Sequence, residues 1–288
     1  MAERQRRSDS HVRPPLPEPL PVVAGGVVDD HTHLDHEADD ATVAALLLAA
    51  ERVGVPRSVQ IGCDLDAARW TVGAVDRFPQ LVGGVAIHPN LAPRLAAQGA
   101  LDDALAEIER LAAHPRIRVV GETGMDRFRT DHGDAAAARA QEESFRAHVE
   151  MAERLGLALQ IHDRDSHDDV LRVLREVGAP ERTVLHCFSG DAGLARFCAS
   201  QGWYLSFAGV LTFTNAGDLR EALRAVPLEQ VLVETDAPYL TPAPYRGRPN
   251  AGYLVPHTVR TMAEVLERPL EEVCAALATT SEALYGPW

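Results

Sequence analysis

The chain has 288 residues, of which 46% are hydrophobic and 24% are charged, and its formal net charge is -14. This composition is typical of a globular protein and argues against a repeat array, a coiled coil or a generally basic nucleic-acid-binding surface. No apolar run approaches the roughly 20 residues that span a bilayer, so we expect a cytoplasmic protein that does not bind membranes. The four cysteines are widely scattered, which favours reduced thiols, and the 28 basic residues are all arginines, which excludes a lysine nucleophile.

The N-terminal residues 1–22 contain several arginines and five prolines but no hydrophobic periodicity. Such a segment has little apolar surface to bury. We therefore predict a flexible N-terminal extension over 1–22 and a single domain over 23–288.

From Val27 onward, short apolar runs alternate with longer segments of helical periodicity such as 134–155. The apolar runs predict strands at 27–33, 56–62, 81–88, 117–122, 157–162, 182–187, 203–209 and 230–236. Nearly continuous apolar strands separated by helices predict an α/β fold with a parallel sheet, and eight such units predict a (β/α)8 TIM barrel. A doubly wound open sheet is the alternative, but no glycine-rich phosphate loop follows the first strand.

Residues of types that bind metals occur at the ends of five of these predicted strands. They are His31, His33, Glu122, His162, His186 and Asp236. Alternate residues of a strand point to one side, so the H-x-H pair directs both imidazoles at one spot. Active sites of barrels form at the carboxyl ends of the strands, where we predict a metal site. A single histidine there is more often a hydrogen-bonded structural residue, but that explanation does not account for six residues at equivalent positions.

Five motifs resemble those of the TatD family of metal-dependent deoxyribonucleases, within the amidohydrolase-like metallohydrolases. They are VVDDHTHLD at 27–35, GETGMD at 121–126, IHDRD at 161–165, HCFSG at 186–190 and ETDAP at 234–238. The resemblance extends from Val27 to about Gly286. It departs from the family pattern at Asp30, at Arg127-Phe128 and in the basic loop at 245–252, which lacks the typical R-N-E-P.

The resemblance implies two divalent metal ions per chain. His31, His33 and Asp236 would hold one ion, Glu122 would bridge the two, and His162 with His186 would hold the second. Asp236 and Glu122 would be the catalytic residues, with Asp236 orienting the attacking water or accepting its proton. Carboxylates suit Mg²⁺ and imidazoles favour Zn²⁺ or Mn²⁺, so the identity of the metal stays open.

Further residues are predicted to bind the substrate or to support the ligands. The predicted substrate-binding residues are His88, Arg164, Arg246 and Arg248. The arginine fork suits a phosphate, although a structural cap for His88 and a salt bridge from Arg164 to a neighbouring aspartate are alternatives. Asp29 and Asp126 are predicted to orient ligand imidazoles, or else to cap loops.

From these residues together with the resemblance to the TatD family, we predict a monomeric deoxyribonuclease. It would be an exonuclease that cleaves phosphodiester bonds at the ends of single-stranded DNA with metal-activated water. One alternative is a metallohydrolase of the same barrel that acts on an amide, a lactone or another ester, because a metal centre activates water without selecting the bond. The other is a metal-binding protein without catalytic activity.

Overall fold

The structure, a computed structural model, describes residues 12–130 and 133–288. Its strands lie side by side in chain order in one eight-stranded sheet. They are β1 (Val28–Thr32), β2 (Arg57–Gly62), β3 (Leu81–Val85), β4 (Ile117–Asp126), β5 (Ala158–Arg164), β6 (Thr183–Leu185), β7 (Tyr204–Phe207) and β8 (Val231–Val233). The pairs from β3–β4 to β6–β7 are parallel. This order confirms the predicted (β/α)8 TIM barrel.

Helices alternate with the strands. They are α1 (Asp40–Glu51), α2 (Leu65–Arg77), α3 (Ala92–Ala97), α4 (Leu101–Ala112), α5 (Ala135–Leu155), α6 (His167–Val177), α7 (Ala192–Ser200), α8 (Gly217–Arg224), α9 (Val255–Leu266) and α10 (Leu270–Tyr285). Short 3-10 helices occur at Leu34–His36, Gly209–Thr212, Leu228–Gln230 and Gly252–Leu254. Within 12–130 and 133–288, no helix combines the length and the apolarity needed to cross a bilayer.

The described chain divides into two compact units. Unit 1 comprises 12–59, 190–199 and 206–283, and unit 2 comprises the described part of 60–189 together with 200–205 and 284–288. Each unit contains its own set of predicted ligands, and each is described by itself below.

In unit 1, helix α9 shows how the sequence forms the core. Val255, Val259 and Met262 recur at spacings of four and three residues, which places them on one face of the helix, and all three are buried. Burial of one such side chain contributes roughly 1.5–3 kcal/mol.

In unit 2, helix α5 has the predicted periodicity and lies within one residue of its predicted start. Its carboxyl-terminal half buries Phe145, Val149 and Ala152. The carboxylate of Asp134 caps the first turn, and Gly156 ends the helix in the left-handed conformation at φ 63°.

Residues 12–22, which belong to the predicted flexible extension, make specific contacts with the rest of unit 1. The guanidinium of Arg13 donates to the carboxylate of Glu37 at 2.5 Å, and Leu20 is buried. A proline-rich segment leaves its carbonyls free of internal hydrogen bonds, so side chains elsewhere in the unit bind them. Residues 1–11 lie outside the described residues.

Candidate metal-binding site

The first ligand group consists of His31, His33 and Asp236, all in unit 1. The Nε2 atoms of the two histidines are 3.2 Å apart, and Asp236 Oδ1 lies 3.4 Å from His33 Nε2 and 4.0 Å from His31 Nε2. Two nitrogen atoms and one carboxylate oxygen therefore converge, as the H-x-H spacing predicts. Two imidazole nitrogens that face each other this closely cannot both carry a proton without repulsion, and their lone pairs suit a shared cation.

Backbone hydrogen bonds fix the position of Asp236. It lies three residues beyond β8, and its own N–H donates to the carbonyl of His31 at 2.9 Å. The N–H of His33 donates to the carbonyl of Ala237 at 2.8 Å. The backbone of Asp236 is left-handed, with φ 53°, a conformation that aspartate tolerates better than most residues. The segment that carries His31 and His33 is thus hydrogen-bonded to the backbone of Asp236 and to that of the next residue, Ala237.

Asp29 supports the first ligand group differently from our prediction. Its carboxylate accepts hydrogen bonds from the N–H and the hydroxyl of Thr235, at 2.8 and 2.7 Å, rather than from a ligand imidazole. The side-chain amide of Asn250 donates to the carbonyl of Thr235 at 2.9 Å. Burial raises the pKa of Asp29 to about 7, although the hydrogen bonds from Thr235 oppose this. Asp29 therefore positions the residue before Asp236.

The second ligand group consists of His88, Glu122, His162 and His186, all in unit 2. Three imidazoles approach one oxygen, Glu122 Oε1: His162 Nδ1 at 2.5 Å, His186 Nε2 at 2.8 Å and His88 Nε2 at 3.4 Å. Burial alone would favour the neutral carboxyl, but the charge of the three imidazoles outweighs it and holds the pKa of Glu122 well below its usual value.

The irregular pairing of β4 with β5 places Glu122. Our prediction ended this strand at Glu122, whereas β4 continues to Asp126 and its register with β5 shifts between Val120 and Thr123. Such an irregularity re-aims the side chains that lie within it. Gly124, at φ 136°, then passes so close to the carbonyl of His162 that a Cβ atom would clash with it.

Asp126 orients His162, in agreement with the prediction. Asp126 Oδ2 lies 3.2 Å from His162 Nε2 and accepts a hydrogen bond from the amide of Asn90 at 3.0 Å. Burial disfavours the charged imidazole, but Glu122 and Asp126 outweigh it and raise the pKa of His162 to about 9. A carboxylate behind a ligand histidine is the usual arrangement at metal sites.

Two further residues of unit 2 lie at or behind the second ligand group but were not predicted as site residues from the sequence. Cys63 Sγ lies 3.4 Å from Glu122 Oε2. His148 is fully buried on α5; its Nε2 accepts the N–H of Ile87 at 3.1 Å, next to His88, and burial lowers its pKa to about 4. A histidine on the apolar face of a predicted helix was the available signal for His148.

The predicted substrate-binding residues differ in their surroundings. His88 lies within the second ligand group, so it is also available to a metal. The guanidinium of Arg164 lies over the ring of Phe128, and that of Arg246 lies 4.5 Å from the ring centroid of Phe213. Arg248 instead donates to the carbonyls of residues 12 and 13, at 2.8 and 2.9 Å. Two of its nitrogen atoms therefore bind the N-terminal segment, and its contact with phosphate stays a prediction, as do those of the other three residues.

Both ligand groups suit a divalent metal ion. Each combines imidazole nitrogens with a carboxylate oxygen, the donor set that Zn²⁺ and similar transition ions accept. The ligand atoms of the first group approach closely enough to share one ion, and so do those of His88, Glu122 and His162 in the second group. The role of these residues as ligands, the number of ions, their identity and the bridging role of Glu122 stay predictions.

Comparison with known proteins agrees with the motifs. Residues 28–286 match the family described as TatD related DNase. A protein of Mycobacterium tuberculosis, named an uncharacterized metal-dependent hydrolase TatD, is 47% identical over 265 residues, which cover 90% of this chain and 98% of that protein. The uncharacterized metal-dependent hydrolase YabD of Bacillus subtilis is 31% identical over 258 residues, covering 89% of this chain and 98% of that protein.

The fold is also found among solved structures. The crystal structure of YJJV, a TatD homolog from Escherichia coli, superimposes with a TM-score of 0.83 at 22% identity, covering 92% of this chain and 100% of that one. At this identity the likeness concerns the fold alone. Together with the family match over 28–286, the two ligand groups lead to one conclusion: the chain belongs to the TatD related DNase family and is a metal-dependent hydrolase.

Proposed function

We propose that the chain is a divalent-metal-dependent deoxyribonuclease that removes nucleotides from the ends of single-stranded DNA. The observation that carries the proposal is the convergence of imidazoles with a carboxylate in each ligand group, because this chemistry serves phosphodiester hydrolysis. A bound divalent ion supplies an activated water and neutralises charge on the phosphate oxygens. The description of the matched family as DNases supports DNA as the substrate.

The residues of each ligand group have separate roles in this proposal. Asp236 retains 16% side-chain exposure beside two buried histidines, so it is the carboxylate of the first group that can orient a water or accept its proton. Glu122 keeps its negative charge because the surrounding imidazoles lower its pKa, and its carboxylate is the common partner of the second group. Asp126 holds the ring of His162 in place.

Two exposed residues of unit 1 support a nucleic-acid substrate despite the net charge of -14. Tyr239 is 53% exposed and its ring centroid lies 6.5 Å from that of His33, which leaves an aromatic face near the first group. Arg246 is exposed and makes no hydrogen bond or ion pair within the described residues. A few such groups suffice to bind one end of a strand, and we expect weak binding that salt weakens further.

The test is hydrolysis of single-stranded DNA labelled at either end, with Mg²⁺, Mn²⁺ or Zn²⁺, beside generic ester, lactone and amide substrates. We expect stepwise loss of nucleotides that stops on chelation and is absent from the Asp236→Asn variant. Metal-dependent hydrolysis of an ester, a lactone or an amide with no cleavage of DNA would overturn the proposal in favour of the alternative substrate class. Metal-loaded protein that hydrolyses none of these substrates would indicate a metal-binding protein without catalytic activity.

A further inference from the structure

Phe128 is an exposed aromatic residue close to the second ligand group. It is 62% exposed, and Tyr239 is the other exposed phenylalanine, tyrosine or tryptophan in the described part of the chain. Phe128 follows the end of β4 by two residues, and the last residue of that strand, Asp126, contacts the ligand His162. An apolar ring left in solvent beside a ligand group needs an explanation other than packing.

The turn that carries Phe128 is held on both sides. The N–H of Arg127 donates to the carbonyl of Arg164 at 2.9 Å, and its guanidinium donates to the carboxylate of Asp169 at 2.8 Å. After the ring, the N–H of Arg129 donates to Asp126 Oδ1 at 2.8 Å. These bonds fix the backbone around Phe128, so its ring is presented to solvent by an ordered turn.

Arg164 lies against Phe128, and the two side chains form one exposed surface. Its guanidinium lies 4.0 Å from the centroid of the Phe128 ring, at the end of β5 and two residues after His162. Although Asp163 and Asp165 are its neighbours in sequence, the guanidinium makes no hydrogen bond or ion pair to any described residue. Its donors therefore remain available, while its guanidinium carbon lies over the ring.

We propose that Phe128 and Arg164 form a stacking subsite for a nucleobase near the end of a single-stranded DNA substrate. The inference rests on the proposed function and specifies which part of the substrate this edge of the site recognises. A base has a planar π-face that stacks on an aromatic ring or on a guanidinium, and the adjoining phosphate matches the fork of arginine. Recognition of this kind is indifferent to sequence, as an exonuclease requires.

The experiment combines protein variants with abasic substrates. KM and kcat are measured for Phe128→Ala, Phe128→Trp and Arg164→Gln with an oligothymidylate and with a series in which one nucleotide at a time is replaced by an abasic analogue. We expect Phe128→Ala to raise KM by about 5- to 100-fold and to change kcat little, because stacking contributes to binding. Phe128→Trp, which keeps an aromatic ring at this position, should have the KM of the wild type.

The abasic series identifies the stacked base. With the wild-type protein, one abasic position should raise KM by the same factor as Phe128→Ala, and the variant should be insensitive to that same position. The control is Phe78→Ala, because Phe78 also lies beneath a guanidinium, that of Arg77 at 5.7 Å, but precedes the amino end of β3.

Two outcomes separate this inference from the proposed function. A wild-type protein that cleaves the oligonucleotide, with a Phe128→Ala variant that has unchanged KM on every substrate and only a lower melting temperature, overturns the subsite and leaves the nuclease. That result would assign the pair to stabilisation of the β4 and β5 ends. A wild-type protein that cleaves no oligonucleotide with any divalent metal overturns the nuclease and the subsite together.

Discussion

The two ligand groups are held in place by different means. In the first group, Asp236 is fixed through its own backbone and through Thr235, whose N–H and hydroxyl bind the buried Asp29. In the second group the ligands contact each other, because His162, His186 and His88 all approach Glu122 Oε1.

This difference indicates which substitutions should disrupt each group. The second group should depend on one carboxylate, since that oxygen is the common partner of three rings. The first group should depend on residues that do not bind the metal at all. Substitutions can test each of these two expectations separately.

The largest effect should come from Glu122→Ala. We expect loss of metal-dependent hydrolysis by about 10³-fold or more, since the variant loses a ligand and the partner of three imidazoles. Initial rates and the metal content of the purified variant check this, with circular dichroism to establish that the fold is intact. Glu109→Ala is the matched control, because Glu109 forms a surface ion pair with Arg154 in the same unit. Full activity of Glu122→Ala would refute the assignment.

The second prediction concerns acid pH and His148, a buried residue whose hydrogen bond to Ile87 lies next to His88 of the second group. His148 must be neutral at Nε2 to accept the N–H of Ile87, and burial lowers its pKa from 6.5 to about 4. Between these pH values the unfolded chain binds more protons than the folded one. The contribution of His148 to the free energy of unfolding is therefore complete above pH 6.5 and is lost as the pH falls toward 4. The shift corresponds to roughly 3 kcal/mol.

Urea unfolding at several pH values checks this, with wild type compared with His148→Gln. The advantage of the wild type should narrow by about 1.4 kcal/mol for each pH unit below 6.5. His114→Gln, at a partly exposed histidine of the same unit, is the matched control variant. An advantage that stays constant with pH would contradict a neutral buried His148.

The third prediction tests the support of the first group. Asp29→Ala leaves the buried N–H of Thr235 without its acceptor and its hydroxyl with the more distant carbonyl of His31 at 3.4 Å, so we expect a loss of about 2 kcal/mol in the free energy of unfolding. Hydrolysis should fall as well, because Asp236 follows Thr235. Asp29→Asn, which keeps one acceptor oxygen, should lose less stability. Equal and small effects of both variants would show that the first group does not depend on this support.

The smallest effect should come from Arg248→Gln. This variant loses two hydrogen bonds to the carbonyls of residues 12 and 13, which we expect to cost about 1 kcal/mol. Amide hydrogen exchange should then increase over 12–22. Arg246→Gln is the control for stability, because Arg246 makes no hydrogen bond within the described residues. Unchanged exchange in Arg248→Gln would mean that the segment is held by its other contacts.

Local patterns predicted most of the fold. The eight strands and helix α5 could be located because apolar periodicity reports which side of an element is buried. The end of a strand was less predictable: β3 stops at Val85, three residues before His88, and β4 runs past Glu122 through an irregular register. These boundaries depend on the neighbouring strand, which local sequence does not specify.

The partners of polar side chains were the hardest to predict. The H-x-H spacing brings His31 and His33 together because both lie on one strand end, but nothing local to Asp29 indicates that it binds Thr235, 206 residues away. The exposure of Phe128 was equally hidden, since a phenylalanine in a sequence is expected to be buried.

The N-terminal segment shows that a boundary set by homology and a boundary set by folding need not coincide. The family match begins at residue 28, yet the hydroxyl of Tyr253 donates to the carbonyl of Pro14 at 2.7 Å and the N–H of Leu20 donates to the carbonyl of Val53 at 2.9 Å. A protein shortened to the region shared with its relatives would leave the buried hydroxyl of Tyr253 without that acceptor. Truncations intended for crystallisation or assay should therefore begin no later than residue 12, because the region shared with relatives lacks part of the molecule's own packing.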